Sequence, residues 1–442
     1  MLVQVKTTTL TPMSDHNLGT IGKYRKLKRI GTGATSEVYL ARDDFLDRDI
    51  ALKIFNREAM VAGSDVLSQT GFLVELALLN KLDHPHVVKV LDACAGPDDF
   101  FIVSEFVPGG TLADYCVMGR RMEFEAACDV VYKCAKALEY LHQQGITHRD
   151  IKPDNVFVGA GTDVKVGDFG AATVRGVPAS MVSSVGSLRY MSPERHAGES
   201  ASLASDVFSV GVMFYQLLTG RHPFDANSLA AMTYQMQNMA PPSPSIVNER
   251  LPSAVDPIVL KCLAPRADDR YRTWDDLAEA LAAAMFRHDD GRLHRHMLVT
   301  AAARFEALRK AAFFERFEDA ALWELVEHSD FRTTVEGDVL FREGEVAFEF
   351  LILIEGSVRV TKRGQVIDVV LPGATIGEVA YVLGQNTPRN ASCVALDSGL
   401  ALSVSFEAMT MLSVACRHRL ESEFLKILAW RLVGANRRLT SE

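Results

Sequence analysis

The stretch "HRDIKPDNVFV" (residues 148–158), followed shortly by "KVGDFGAA" (165–172), decides the fold. It sets a carboxylate (Asp150), a side-chain amide (Asn155) and a second carboxylate (Asp168) on adjoining loops beside apolar strand residues. Asn155 and Asp168 offer hard oxygen ligands of the kind that hold Mg²⁺ together with substrate phosphates. Asp150 is then free to accept a hydroxyl proton, and Lys152 can neutralise charge on a transferred phosphoryl group.

Upstream, "IALKIF" (50–55) puts Lys53 in an otherwise apolar strand, where a buried lysine without a partner is costly. Glu75, in the helical "FLVELALLNKL" (72–82), can supply the ion pair. Alone, the segment fits equally a lysine snorkelling from an edge strand. "IGTGATSEVYLA" (30–41) places Gly31 and Gly33 between two strands, where backbone amides can approach a phosphate because no Cβ intrudes. Glycine turns between strands are also common hairpins.

With "SPE" (192–194) and "DVFSVGV" (206–212), these motifs form an ordered set, and residues 24–287 resemble the eukaryotic-type protein kinase domain, close to its bacterial serine/threonine members. The resemblance implies a bilobal fold that uses ATP and Mg²⁺ on protein substrates. Ile30, Gly31, Thr32, Gly33, Ala34, Thr35, Ser36, Glu37 and Val38 then cover the nucleotide, although Ser36 replaces a customary glycine. Lys53, supported by Glu75, meets the phosphates, and the backbone of Glu105 and Val107 holds adenine, with Ser104 at the back of the pocket. Asp150 and Lys152 are catalytic, and Asn155 and Asp168 bind the metal. Asp206 braces the catalytic loop, and Glu194 and Arg270 form a buried ion pair. Asp150-x-Lys152-Pro153 resembles the serine/threonine-selective loop, and Ser187 replaces a common threonine. Arg149 implies a phosphate-ordered activation segment, with Thr173, Ser180, Ser183 and Ser184 as acceptors.

Farther on, "IGEVAYVLGQNTPRNAS" (376–392) fixes Glu378 and Arg389 at the two ends of a short apolar stretch. Such a pair either neutralises itself or points at a ligand that carries hydroxyls and a phosphate. Around it, short strands are broken by Gly337, Gly344, Gly356, Gly364 and Gly373, as in a compact β-barrel or sandwich. A closing helix carries the apolar stripe Leu420, Phe424, Leu428 and Leu432. Residues 312–433 resemble a cyclic nucleotide-binding domain, a β-barrel (jelly roll) with flanking helices. By that resemblance Gly377, Glu378, Val379 and Ala380 form the phosphate turn, Arg389 pairs with the cyclic phosphate, Glu378 accepts from the ribose 2′-hydroxyl, and Asn390 can reach the base. cAMP is the default ligand and cGMP the rival, with Trp430 or Phe424 to stack on the base. The loop before Pro388 is longer than usual, through "GQN" (384–386), and Ile376 replaces a frequent phenylalanine. The alternative is a ligand-free docking or dimerisation module.

Length and composition agree. A chain of 442 residues suggests two or three domains, and a net charge of −9 disfavours a nucleic-acid partner. The seven cysteines are scattered without CxxC spacing, which suggests reduced thiols and a cytoplasmic location. No apolar run is long enough to span a membrane, and the first residues lack a signal-peptide pattern. The histidine-rich "RHDDGRLHRHM" (287–297) reads as a solvated linker rather than a metal site. The expected organisation is α+β and multidomain: a tail (1–23), the kinase-like domain (24–287), a linker (288–311), the nucleotide-binding domain (312–433) and a second tail (434–442). The function expected is a serine/threonine kinase regulated by a cyclic nucleotide, with a homodimer as a candidate assembly.

Overall fold

Alternating apolar residues fold the first part of the chain into an antiparallel sheet. In the computed structural model, which describes residues 18–33, 36–56, 66–79, 81–96, 99–159, 163–174, 188–226, 228–287, 301–384 and 387–439, six strands form it. They are β1 (Thr20–Ile21), β2 (Tyr24–Thr32), β3 (Ser36–Asp43), β4 (Arg48–Phe55), β5 (Val90–Ala95) and β6 (Phe100–Glu105), in the order β1-β2-β3-β4-β6-β5. Strand β4 is paired on both sides, with Lys53 opposite Val38 and Ile102. Lys53 is therefore central in the sheet, which removes the edge-strand alternative. Helix α1 (Val66–Ala77) packs on this sheet through Phe72, which meets Phe55 edge-on at 5.3 Å, and carries Glu75 toward Lys53.

The next lobe is helical. Helix α2 (Phe124–Gln143) is buried along most of its length, because small and β-branched residues occupy nearly every face. Around it lie β7 (Ile146–Thr147), β8 (Val156–Val158), β9 (Val164–Val166) and β10 (Thr173–Val174). The helices α3 (Pro193–His196), α4 (Leu203–Thr219), α5 (Leu229–Asn238), α6 (Pro244–Val247), α7 (Asp256–Cys262) and α8 (Trp274–Arg287) follow. The loop that carries Asp150, Lys152 and Asn155 joins β7 to β8, so both ends of the loop are fixed by short ladders against a helical core.

The C-terminal part is β-rich. Strands β11 (Asp330–Thr334), β12 (Val339–Phe341), β13 (Glu349–Glu355), β14 (Val358–Lys362), β15 (Gln365–Val370), β16 (Thr375–Ile376), β17 (Ser392–Ala395) and β18 (Gly399–Ser405) make two four-stranded sheets. Their orders are β11-β18-β13-β16 and β12-β17-β14-β15, and Leu351, Leu353 and Ala401 of one meet Phe341, Val358 and Cys393 of the other. This is the jelly roll with flanking helices that the sequence implies.

Two helices join the parts. Residues 288–300 lie outside the described residues, but the rest of the expected linker includes helix α9 (Ala301–Lys310). Its apolar residues Ala302, Phe305 and Leu308 are buried, and its first turn is capped across the interface, where the Ala302 N–H donates to Asp129 Oδ1 (2.9 Å). Helix α10 (Asp319–His328) adds Trp323, which stacks on Phe305 with centroids 4.4 Å apart and meets His86 edge-on at 4.5 Å. One apolar core thus runs from α2 through α9 and α10 to Phe350 and Phe424, the latter on the closing helix. After the short helices α11 (Glu378–Leu383) and α12 (Ala408–Met411), that closing helix is α13 (Val414–Leu439).

Candidate active site and nucleotide pocket

Between the first two lobes three charged groups meet. Lys53 Nζ donates to Glu75 Oε1 (2.6 Å) and to Asp168 Oδ1 (2.9 Å). Burial alone would lower the Lys53 pKa, but the Asp168 and Glu75 charges outweigh it and hold the ammonium above its ordinary value. Lys53 in turn draws Asp168 down to about 2, against the opposing effect of burial. Burial pushes Glu75 upward, with Lys53 working against it. Asp168 has a left-handed backbone (φ 60°), which turns the following Phe169 into the core, 5.4 Å from the His148 ring.

The loop that carries Asp150 is held from below. Asp206, buried in α4, accepts from the backbone N–H of His148 (3.1 Å) and Arg149 (3.0 Å), so a helix residue fixes the loop's bend. That bend needs a positive φ at Arg149 (71°). Lys152 Nζ donates to Asp150 Oδ2 (2.8 Å), and Asn155 Nδ2 donates to Asp150 O (2.7 Å) and Oδ2 (3.1 Å). With its nitrogen engaged inward, Asn155 has its amide oxygen available to a cation, as Asp168 has its second carboxylate oxygen. These two residues fit a Mg²⁺ ion that completes its shell with phosphate oxygens and water.

The remaining expected residues fall in separate roles. Glu37 accepts from Arg29 Nη1 (2.9 Å) and the Tyr39 hydroxyl (2.8 Å), so only its backbone is available to the cleft. Ile30 is exposed, Val38 is half-buried, and the Gly33 N–H donates to Ser36 O (2.7 Å), whereas Ala34 and Thr35 lie outside the described residues. Ser104 and Val107 are half-buried at the hinge, where the Glu105 carboxylate is tied to the Lys89 N–H (2.8 Å) and Lys165 Nζ (3.1 Å). Arg270 grips Glu194 with two parallel bonds of 2.8 and 2.9 Å. Thr173 is a half-buried residue of β10, whereas Ser180, Ser183, Ser184 and Ser187 lie outside the described residues. Arg149 Nε is buried with no hydrogen-bond partner among the described residues.

In the C-terminal barrel a pocket of about 210 Å³ is lined by Gly377, Glu378, Val379, Ala380, Arg389 and Asn390, the six residues expected there, together with Phe341, Thr375, Cys393 and Arg431. Arg389 is only 6% exposed, and its guanidinium lies 3.5 Å from the Phe341 ring centroid. It donates to Gly377 O (3.2 Å) and Glu349 O (2.7 Å). Among the described residues no carboxylate pairs with it, and burial lowers its pKa. Gly377 permits this: it has φ 86°, and a Cβ there would stand 2.2 Å from Arg389 Nη1. Only glycine lets the guanidinium reach the turn.

Glu378, fully buried, does not pair with Arg389. Arg431 of α13 takes one of its oxygens and also donates to Thr375 O (2.6 Å). The other oxygen, Glu378 Oε2, and the neighbouring Thr375 Oγ1 are buried without partners among the described residues. The sequence reading missed Arg431. Its signal was an arginine seven residues after Phe424, on the same apolar stripe of the closing helix. Phe424 is a core residue, 4.9 Å from Phe350 and 1% exposed, and so is not free to cap a base. The side chain of Trp430 lies outside the described residues.

The site geometry and comparison with known proteins agree on the class. Residues 24–283 match the protein kinase domain family and residues 331–413 match the cyclic nucleotide-binding domain family. The first match covers more than half of the chain, and the chain belongs to the protein kinase domain family. It is similar to the serine/threonine-protein kinase PrkC of Bacillus subtilis (strain 168), with 34% identity over 265 residues, 60% of this chain and 40% of that protein. Against the serine/threonine-protein kinase PknB of Mycobacterium leprae (strain TN), identity is 37% over 252 residues, 55% of this chain and 40% of that one. With PknB of Mycobacterium tuberculosis (strain ATCC 25618 / H37Rv) it is 36% over 281 residues, 62% and 43%. The chain spans about two fifths of the length of these curated relatives.

Proposed function

We propose that this protein transfers the γ-phosphoryl group of ATP to serine or threonine hydroxyls of a protein substrate, and that a cyclic nucleotide bound in the C-terminal pocket, cAMP or cGMP, regulates the transfer. The observation that carries the first half is Lys53 bonded at once to Glu75 and Asp168, together with Lys152 bonded to Asp150. Lys53 orients the nucleotide phosphates, and Glu75 holds that ammonium in place. Asp150 accepts the proton of the attacking hydroxyl, while Lys152 moves from Asp150 toward the charge that develops on the transferred group. Held by Asn155 and Asp168, Mg²⁺ would supply charge neutralisation at the phosphates. Arg149, with a buried nitrogen that has no partner among the described residues, is suited to a phosphate on one of the hydroxyls of Thr173, Ser180, Ser183 and Ser184. We assign the protein to the cytoplasm: its seven cysteines are all free, and no described helix is long and apolar enough to cross a membrane.

Arg389 carries the second half. A buried guanidinium with only carbonyl partners is a cation awaiting an anion, and the cyclic phosphate meets that need. Glu378 Oε2 is left to accept the ribose hydroxyl while Arg431 keeps the other oxygen. A route to the kinase exists in packed rings. Tyr381 on α11 lies 5.6 Å from Phe350 and 6.3 Å from Phe424, Phe424 lies 6.4 Å from Phe313, and the same core continues to Trp323 and Tyr132. Nucleotide should then change kinase activity several-fold, about 1–3 kcal/mol of coupling. The test is radiolabel transfer by the full chain with and without saturating cAMP or cGMP, for wild type and Arg389→Ala. Equal rates throughout would leave the C-terminal part as a docking module.

A further inference from the structure

Strand β15 is exposed from Gln365 to Val369 and buried only at Val370, and its one carboxylate, Asp368, lies two residues before Val370 on the pocket side of the sheet. Register explains where Asp368 is aimed. Phe341 is opposite Cys393, Cys393 is opposite Val360, and Val360 is opposite Asp368, so these four residues form one row across β12, β17, β14 and β15. All four line the pocket. Arg389 is stacked on Phe341, at one end of the row, and Asp368 stands at the other, about 14 Å away by three strand spacings. A ligand whose phosphate sits on Arg389 therefore extends its far end toward Asp368. The only hydrogen bond that Asp368 makes among the described residues is from its neighbour's N–H, Val369 to Oδ1 (2.9 Å), and no lysine or arginine there pairs with it.

We propose that Asp368 reads the base, and that it makes the pocket select guanine over adenine, so that the effector is cGMP. This rests on the reading of the pocket as a cyclic nucleotide site. A carboxylate is an acceptor only, with room on both oxygens. Guanine offers it two adjacent donors, N1–H and the 2-amino group. Adenine presents one amino group beside a ring nitrogen whose lone pair repels the carboxylate. A base seated on Asp368 would shield the carboxylate from water, so a base that leaves it unpaired is disfavoured.

Calorimetry on the full chain tests this with cGMP, cAMP and cyclic inosine monophosphate, which keeps N1–H but lacks the 2-amino group. Wild type should bind cGMP at least about tenfold more tightly than cAMP, with the inosine nucleotide between them. Asp368→Ala, an exposed change that leaves the core intact, should bring cGMP and cAMP within about threefold by weakening cGMP alone. Binding of all three without preference, a preference for cAMP, or a preference that survives Asp368→Ala overturns the role of Asp368 while leaving the nucleotide site intact. Failure of all three to bind wild type overturns the nucleotide reading itself, and this inference with it.

Discussion

Trp323 belongs to the nucleotide-binding side of the chain, yet its walls come largely from elsewhere. It is 1% exposed, stacked on Phe305 at 4.4 Å, edge-on to His86 at 4.5 Å and 6.3 Å from Tyr132. Trp323→Ala would open a cavity at this junction and cost about 3–5 kcal/mol, the usual range for a buried aromatic. That exceeds the ~1–3 kcal/mol available for coupling, so the variant should lose most of its response to nucleotide. At about 2–4 °C per kcal/mol, its melting midpoint should fall by roughly 10 °C. Trp323→Phe separates packing from polarity. The indole Nε1 is buried without a partner among the described residues, and removing it relieves about 1–3 kcal/mol. The relief offsets the lost ring volume, so this variant should melt within a few degrees of wild type and keep a response. Peptide phosphorylation with and without saturating nucleotide, alongside thermal melts of the three proteins, is the assay. A Trp323→Ala protein with the wild-type midpoint and the wild-type fold-response would refute the idea that this contact joins the two parts.

Three further outcomes follow from the sites. Asp150→Ala should abolish radiolabel incorporation while ATP affinity stays near wild type, and Lys53→Met should abolish it through misplaced phosphates; wild-type rates in either would count against these roles. Arg389→Ala should weaken cyclic nucleotide binding by about 10- to 150-fold, from the ~1.5–3 kcal/mol of a charge-assisted bond, with Glu378→Ala weakening it as well, measured by calorimetry. Because Lys53 depresses Asp168 to about 2, the stability that this contact contributes is complete above the ordinary carboxylate range and is lost as pH falls toward 2. Urea unfolding of wild type and Asp168→Asn should therefore show a gap that is constant from pH 7 to about 4 and narrows below it; a gap already closing at pH 5 would contradict the lowered value.

What the sequence made legible was chemistry packed into short segments. Asp150, Lys152 and Asn155 occupy six consecutive positions, so one loop fixes their mutual geometry and a reader can assign it. Lys53 and Glu75 lie 22 residues apart, but a lone lysine in an apolar strand demands a carboxylate, and the helix supplied one. Arg431 had no such local demand. It stands 53 positions from Glu378, on a helix whose pattern alone announced only a buried stripe, and the carboxylate it meets is visible only in three dimensions. Asp368 was hidden for a different reason: its place in the row with Phe341 depends on strand register, and a bulge between Val360 and Thr361 sits beside the pairing that decides it. The packing of α9 and α10 on α2 was hidden too, since alanines such as Ala302 and Ala303 read as helix formers whatever they touch.

The spacing of Glu378 and Arg389 posed the choice between an internal ion pair and a ligand site, and the third residue bears on it. Had the two paired, each charge would have been neutralised and a ligand would have had to separate them. Instead, Phe341 and two carbonyls hold the guanidinium, and Arg431 holds one carboxylate oxygen. The arrangement keeps an uncompensated cation at one point and an unpartnered acceptor oxygen at another. A ligand with a phosphate and a hydroxyl relieves both without breaking either set of contacts. Because Arg431 belongs to α13, whose Phe424 packs near Phe350 and Phe313, a continuous path of packed side chains leads from Glu378 through the closing helix to α9 and α10. Coupling then requires only that ligand favour one placement of that helix over another.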